Sequence, residues 1–349
     1  MGVEGLTRPH RISFAANHGQ MAGGEVMLLA MAEAATELGH DVEVVAPEHP
    51  HDVVDEAARR GLRVVPLRTR GGADQLRVTR AWDRAERRGL LWCNGPRPAL
   101  ATTGRPHRVV HLHQRPSARQ RRLVQLARRG ALATIVPSSS MARHVASAKI
   151  LWNWSPAFPP PRPQPDRGYI TLGYLGRLSE DKGLLVLCEA VRRLQDRRPG
   201  SFRLLVAGES RFVAPDEAGR VAAALQAVGA DLRGWMPADR FFESVDLAVF
   251  PSLWDEPFGL VVSEAMSARR AFVISDAGAL PEVAGEGYPW TFRRGDADGL
   301  ARLLDRASTA DWAPTVEESY ARWATHFSPE AGRERLGRLL GQLETRKAS

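Results

Sequence analysis

A chain of 349 residues with 44% hydrophobic and 25% charged residues has a globular composition and the length for about two domains of roughly 100–200 residues each. That balance excludes a disordered or fibrous chain, and no apolar run approaches the roughly 18–20 residues that span a bilayer. The excess positive charge sits in one half: residues 1–155 hold 23 Lys and Arg against 13 Asp and Glu, whereas residues 156–349 hold 25 against 27.

From Arg87 to Pro165 there are fourteen basic residues and no acidic one. Arg-rich codon usage accounts for the choice of Arg, because Lys149, Lys182 and Lys347 are the only lysines, but not for the missing acids. Solvated helix faces are the ordinary explanation of such a run; an anionic partner for the first half is the informative one. Cys93 and Cys188 are too few for a disulfide framework or a thiolate zinc site. Residues 1–14 lack the apolar stretch of a leader and Leu6 spoils a myristoylation motif, so a soluble, cytosolic protein is expected.

Taken in chain order, Arg11–Ala16 reads as a strand, followed by the loop Asn17–Gly24 and a helix over Glu25–Leu38 that stops at Gly39. Asp41–Ala46 is the next strand, with Pro47 expected to break it. Leu62–Pro66, Leu90–Cys93 and Arg108–Leu112 are further strands with helical stretches between them. Trp152–Pro165, with six prolines, is a stiff boundary. The alternation then restarts, with strands at Ile170–Leu175, Arg203–Ala207, Asp246–Phe250 and Ala271–Ser275. Helices are expected over Gly183–Leu194, Val221–Val228 and Val261–Arg269, and the tail from Val316 to Thr345 reads as wholly helical. The pattern predicts an α/β protein of two doubly wound, Rossmann-like domains facing across a cleft, with ligands beyond the carboxyl ends of the strands.

Three loops at strand ends carry chemistry. In Gly176–Gly183 (GRLSEDKG), Arg177 and Lys182 lie five residues apart between glycines; a planar fork and a point charge suit a diphosphate. A charged, solvated helix start would look similar, and the loop is not a Walker loop, which ends in Gly-Lys-Ser/Thr. In Pro251–Met266, Gly259 allows close approach to the backbone at a helix start. Glu256 on that loop and Glu264 one turn into the helix can accept from paired sugar hydroxyls, although a Glu near a helix start also suits the macrodipole. Gly23-Gly24 after the first strand is weaker, being often only a turn. No Gly-x-Gly-x-x-Gly follows any strand, against a nicotinamide dehydrogenase.

The runs GYLGRLSEDKG, LLVAG, DLAVFPSLWDEPFGLVVSEAM and DAGALPEV, in this order and spacing, resemble the retaining nucleotide-sugar glycosyltransferases of family 4, whose E-x7-E signature Glu256 and Glu264 match. The resemblance is strong over residues 170–300 and looser in the first half. It implies the GT-B architecture: an acceptor-binding domain over 1–155, a nucleotide-sugar donor domain over 156–325, and a C-terminal helix over 326–349 packing back on the first domain. Arg177 and Lys182 would hold the donor diphosphate. Glu264 would bind the ribose, and Glu256 with the Phe258–Gly259–Leu260 backbone the transferred sugar. Gly23 and Gly24 would close over the phosphates, with Gly176 in the diphosphate loop and the base near Gly208, Glu209, Trp235 and Met236. The family also places a histidine at the end of a first-domain strand. His111 and His113 lie on one face of that strand; His113, nearer its end, is chosen, though either can be a packed core histidine.

Arg269-Arg270 stand where the family has a glycine, and Tyr288-Pro289-Trp290 replace a small-residue stretch, which puts local geometry and sugar choice in question. The resemblance implies a metal-independent hexosyl transfer, from UDP in preference to GDP, to a small-molecule, glycolipid or saccharide hydroxyl. Ser117–Arg129 reads as a basic helix with an apolar stripe at Leu123, Leu126 and Ala127. It offers an anionic acceptor, or a peripheral contact with the inner membrane face, a matching surface. A GT-B nucleotide-sugar epimerase or hydrolase is the enzymatic alternative. A nucleic-acid binder is the other, disfavoured because aromatic–basic interleaving is missing.

Overall fold

The computed structural model describes residues 10–162, 167–211 and 213–348. The segment read for a leader lies outside them up to residue 9, as do residues 163–165 of the proline-rich boundary. The chain divides into two compact units, one formed by the residues up to Asn153 together with those from Pro329 onward, the other by Trp154–Ser328.

The first unit runs β1 (Arg11–Ala16), α1 (Gly23–Glu37), β2 (Asp41–Pro47), α2 (Asp52–Arg59), β3 (Arg63–Leu67), α3 (Gly72–Ala85), β4 (Leu90–Asn94), α4 (Pro96–Ala101), β5 (Arg108–His111), α5 (Arg121–Ala127), β6 (Ala133–Val136), α6 (Ser139–Ala142) and β7 (Ala148–Ile150). All seven strands pair in parallel in the order β3-β2-β1-β4-β5-β6-β7. Their inner residues form near-continuous buried apolar runs, such as Phe14, Val44 and Trp92, aligned across β2, β1 and β4. Such runs are what a sheet covered on both faces requires. The strand order reverses at β1 and β4, so their carboxyl ends open the crevice where ligands bind in sheets of this kind.

The second unit follows the same logic: β8 (Ile170–Leu175), a 3-10 turn (Glu180–Lys182), α7 (Leu184–Arg197), β9 (Phe202–Ala207), α8 (Pro215–Ala227), β10 (Asp231–Leu232), α9 (Ala238–Ser244), β11 (Leu247–Phe250), α10 (Leu260–Ser267), β12 (Ala271–Ser275), α11 (Leu280–Ala284), β13 (Thr291–Phe292), α12 (Ala297–Ala307) and α13 (Ala313–His326). The parallel order is β10-β9-β8-β11-β12-β13, and the switch falls between β8 and β11. The last helix, α14 (Pro329–Ala348), belongs to the first unit, where it packs on α1.

Three expectations are corrected. Pro47 ends β2 rather than breaking it, because a strand's last residue can lack an N–H donor without cost to the ladder. The tail is two helices, not one: the chain turns at Phe327 and Ser328, and Pro329 begins α14 as a first-turn proline does. The basic helix is shorter than Ser117–Arg129, and its buried side is Val124 and Ala127, while Leu123 and Leu126 face outward. Arg269 and the aromatic pair of the two family departures are accounted for locally. Arg269 takes the left-handed backbone a glycine would, at φ 48°, with its guanidinium 3.4 Å over the Tyr320 ring. Tyr288 stacks on Phe272 and Trp290 on Trp312, as parts of the core.

Candidate active site

In the second unit the two switch-point loops are tied to each other. The Asp181 carbonyl accepts from the backbone N–H groups of both Leu253 and Trp254 at 2.9 Å. Gly183 makes the approach possible: its φ is 78°, and a Cβ there would lie 1.8 Å from the Pro251 carbonyl oxygen. Lys182 Nζ donates to Glu256 Oε1 at 2.6 Å, and Ser252 Oγ donates to the same oxygen at 2.8 Å. Arg177 pairs with Asp181 at 2.6 Å, and the other Asp181 oxygen accepts from Ser179 Oγ. The Tyr174 hydroxyl holds the Arg177 carbonyl at 2.6 Å. Two cations and two carboxylates, with Lys182 and Glu256 74 residues apart in sequence, thus converge in one constellation, with Glu256 only 11% exposed and Lys182 26%.

Around it stand the other residues singled out from sequence. Gly176 leaves β8 with its N–H on the Ala207 carbonyl, Gly208 leaves β9 with its N–H on the Gly234 carbonyl, and Leu178 N–H reaches the Glu209 carbonyl. Glu209 pairs with Arg211, Trp235 is 71% exposed and Met236 is half-buried. Gly259 caps α10, which begins at Leu260, and the Phe258 ring is buried edge-on against Phe327, so this stretch offers backbone rather than aromatic surface. Glu264, half-buried on α10, has its carboxyl pushed up to about 7 by desolvation. Asp181 and Ser252 were missed by sequence reasoning; Asp181 lay within the diphosphate motif and could have been flagged there.

The first unit assembles a separate polar group at the ends of β1, β4 and β5. His113 lies just past β5, its Nε2 2.6 Å from Asn94 Oδ1, and Asn94 Nδ2 donates to the Gly24 carbonyl at 3.0 Å. That bond assigns the proton to Nε2 and leaves Nδ1 as an acceptor. Burial pushes the ring down to about 4, so it is neutral at neutral pH. A Cβ on Gly24 would press on the ring at 3.3 Å, whereas Gly23 opens α1 one residue earlier. His111 is different: fully buried, it accepts from Trp92 Nε1 at 3.3 Å, and the structure places it in the core beneath His113, ring centroids 4.0 Å apart. Glu25, buried at the start of α1, has its carboxyl raised to about 8 by desolvation and lies 3.7 Å from His18. Asn94 and Glu25 also escaped the sequence reading.

Family models match both halves. Residues 21–151 match the model described as Glycosyltransferase Family 4, and residues 169–309 that described as Glycosyl transferases group 1. The phosphatidyl-myo-inositol mannosyltransferase of Mycolicibacterium smegmatis is 26% identical over 322 residues, covering 81% of this chain and 80% of that protein. An uncharacterised 42.6 kDa protein of the cps region of Klebsiella pneumoniae is 30% identical over 117 residues, which are 32% of this chain and 28% of that protein. Anabaena HepE, solved with UDP and glucose, superposes with a TM-score of 0.79 at 19% identity, covering 95% of this chain and 99% of that one. This last likeness shows the fold, two Rossmann-like domains of GT-B type.

Proposed function

Since the chain belongs to the glycosyltransferases, its first half to family 4 and its second to group 1, we propose that it moves a hexose from a nucleoside diphosphate sugar to a hydroxyl with retention of configuration. UDP is the favoured nucleotide and GDP the other candidate. The observation that carries this reading is the set of hydrogen bonds drawing Arg177, Lys182 and Glu256 together at the switch point of the second sheet. The UDP and glucose of HepE and the mannosyl transfer of the mycobacterial relative support a hexose donor.

In this reading Arg177 and Lys182 neutralise the diphosphate as its bond to sugar C1 breaks. The acceptor oxygen bonds to C1 on the same face, and its proton passes to the departing phosphate oxygen. Glu256 accepts from the sugar hydroxyls rather than attacking C1, beside the Phe258–Gly259–Leu260 backbone. Glu264 accepts from the ribose. The base lies beside Gly208, Glu209, Trp235 and Met236, where the exposed indole offers a stacking face. In the first unit, the polar group to test is His113 with Gly23 and Gly24 beside it. Side chains supply the positive charge, so turnover is expected to persist in excess EDTA. The charge of the first half supports an anionic acceptor, or one held at an anionic surface such as the inner face of the cytoplasmic membrane.

A thermal-shift series with UDP, GDP, ADP and dTDP tests the donor site. Ligand at about 100 times its Kd should stabilise by about 2.7 kcal/mol, and a response to one diphosphate alone names the base. No response to any of them in folded protein overturns the assignment. Consumption of the sugar nucleotide at full rate without acceptor would favour an epimerase or hydrolase.

A further inference from the structure

We propose that the α3–α5 side of the first unit docks on an anionic lipid bilayer, with α5 as the element that enters the interface. The inference deepens the reading of a surface-held acceptor and rests on it. The orientation of α5 is the first observation. Val124 and Ala127 are buried beneath it, while Leu123 and Leu126, three residues apart and therefore on one face, are 51% and 41% exposed. An amphipathic surface helix buries its apolar residues and exposes its polar ones; here two leucines point outward and a second apolar pair satisfies the core.

The second observation is what surrounds those leucines. Arg119, Arg121, Arg122 and Arg129 are all exposed, and among the described residues no acid pairs with any of them. The helices before it are its neighbours, for α4 packs against both α3 and α5, and they too carry arginines without an acidic partner among the described residues. Exposed Arg84 ends α3 and exposed Arg88 follows it, whereas Asp83 is buried with its two oxygens taken by Arg87 and Arg105. Asp74 is paired with Arg77, which leaves Glu86 as the exposed acid opposing the arginines. Apolar side chains framed by arginines match a headgroup–acyl boundary, where the chains enter and the cations meet lipid phosphates. A nucleic acid would use the arginines and leave the leucines without a role.

The test is flotation of the full chain with vesicles of phosphatidylcholine and phosphatidylglycerol, against pure phosphatidylcholine and against duplex RNA. Binding is expected to the anionic vesicles alone, and to weaken about fivefold for each of Arg119 and Arg122 changed to Gln. The double change Leu123→Glu and Leu126→Glu should abolish it. The milder pair Leu123→Gln and Leu126→Gln should weaken it while the thermal shift with nucleotide stays unchanged. No flotation on anionic vesicles overturns the proposal, as does RNA binding that is indifferent to the leucines. Vesicle binding needs no donor, so failure of docking and failure of the transferase reading are separate results.

Discussion

Lys182 and Glu256 are each other's countercharge, joined at 2.6 Å with Ser252 on the same carboxylate oxygen. A diphosphate beside Lys182 would draw on a group already oriented for it, and preorganised charge of that kind is worth about 10²–10³ in rate per donor. Lys182→Ala is therefore expected to lower kcat by about that factor in a single-turnover assay, and an unchanged kcat would remove Lys182 from the leaving-group role. Glu264 offers a pH handle. Desolvation pushes its carboxyl up to about 7, and in the proposed role it would accept from the ribose hydroxyls most strongly when ionised. If the ionised form is the binding form, ribonucleotide affinity should rise from pH 6 to pH 8 by up to about tenfold, as the ionised fraction grows. Glu264→Gln should bind more weakly and lose that slope in titration calorimetry. The same shift works against folding at alkaline pH: with its folded value above the usual carboxylate range, the stability associated with neutral Glu264 is complete below about 4.5 and lost as the pH climbs through 7.

At the scale of elements, the loop Gly176–Gly183 is held to the neighbouring loop by the backbone bonds at Asp181 as well as by the Lys182–Glu256 pair, and Gly183 is the residue that permits the approach. Gly183→Ala would force a left-handed backbone and drive a methyl into the Pro251 carbonyl. A loss of about 1–3 kcal/mol is expected from the backbone conformation alone, visible in denaturant melts, together with weaker nucleotide binding. Strand and helix positions were readable because buried parallel strands announce themselves as apolar runs, as in Arg11–Ala16 and Ile170–Leu175, whose bounds the structure reproduces. Short elements were not: β7, β10 and β13 span two or three residues and owe their existence to a neighbouring strand. The stripe read along α5 holds for Leu123 and Leu126, which share an exposed face, but Ala127 turns inward beside Val124. Over seven residues the periodicity allows Ala127 to join either pair, and packing against the rest of the unit decides it. Among candidate site residues, those legible in sequence were rare residue types in strand-end loops, Lys182 foremost. Asn94 and the Asp181 carbonyl act through contacts across 19 to 73 positions of sequence, which no local pattern records, and Ser252, four residues from Glu256, matters because Lys182 meets the same carboxylate oxygen from 74 positions away.

At the scale of the whole chain, the first unit is completed by residues that follow the entire second unit in sequence. Leu336, Leu339, Leu340 and Leu343 of α14 are buried, Arg333 pairs with Glu37 of α1, and Lys149 reaches Gln342 at 2.9 Å. Burying four leucines is worth about 6–12 kcal/mol as an upper figure, comparable to the entire stability of a domain at about 5–15 kcal/mol. A chain ended at Ser328 should therefore keep a protease-resistant second unit and lose the first, a difference that limited proteolysis read by mass spectrometry would register. An intact first unit in that truncation would contradict the role given to α14.

That arrangement has a consequence for biosynthesis. The ribosome finishes β7 and then makes all of residues 154–328 before α14 emerges, roughly 10–35 s at about 5–20 residues per second. Throughout that interval the α1 surface that α14 will cover, Leu38 included, has no partner of its own. The second unit can close as soon as its last helix is out, so the half of the protein that is translated first is the half that matures last.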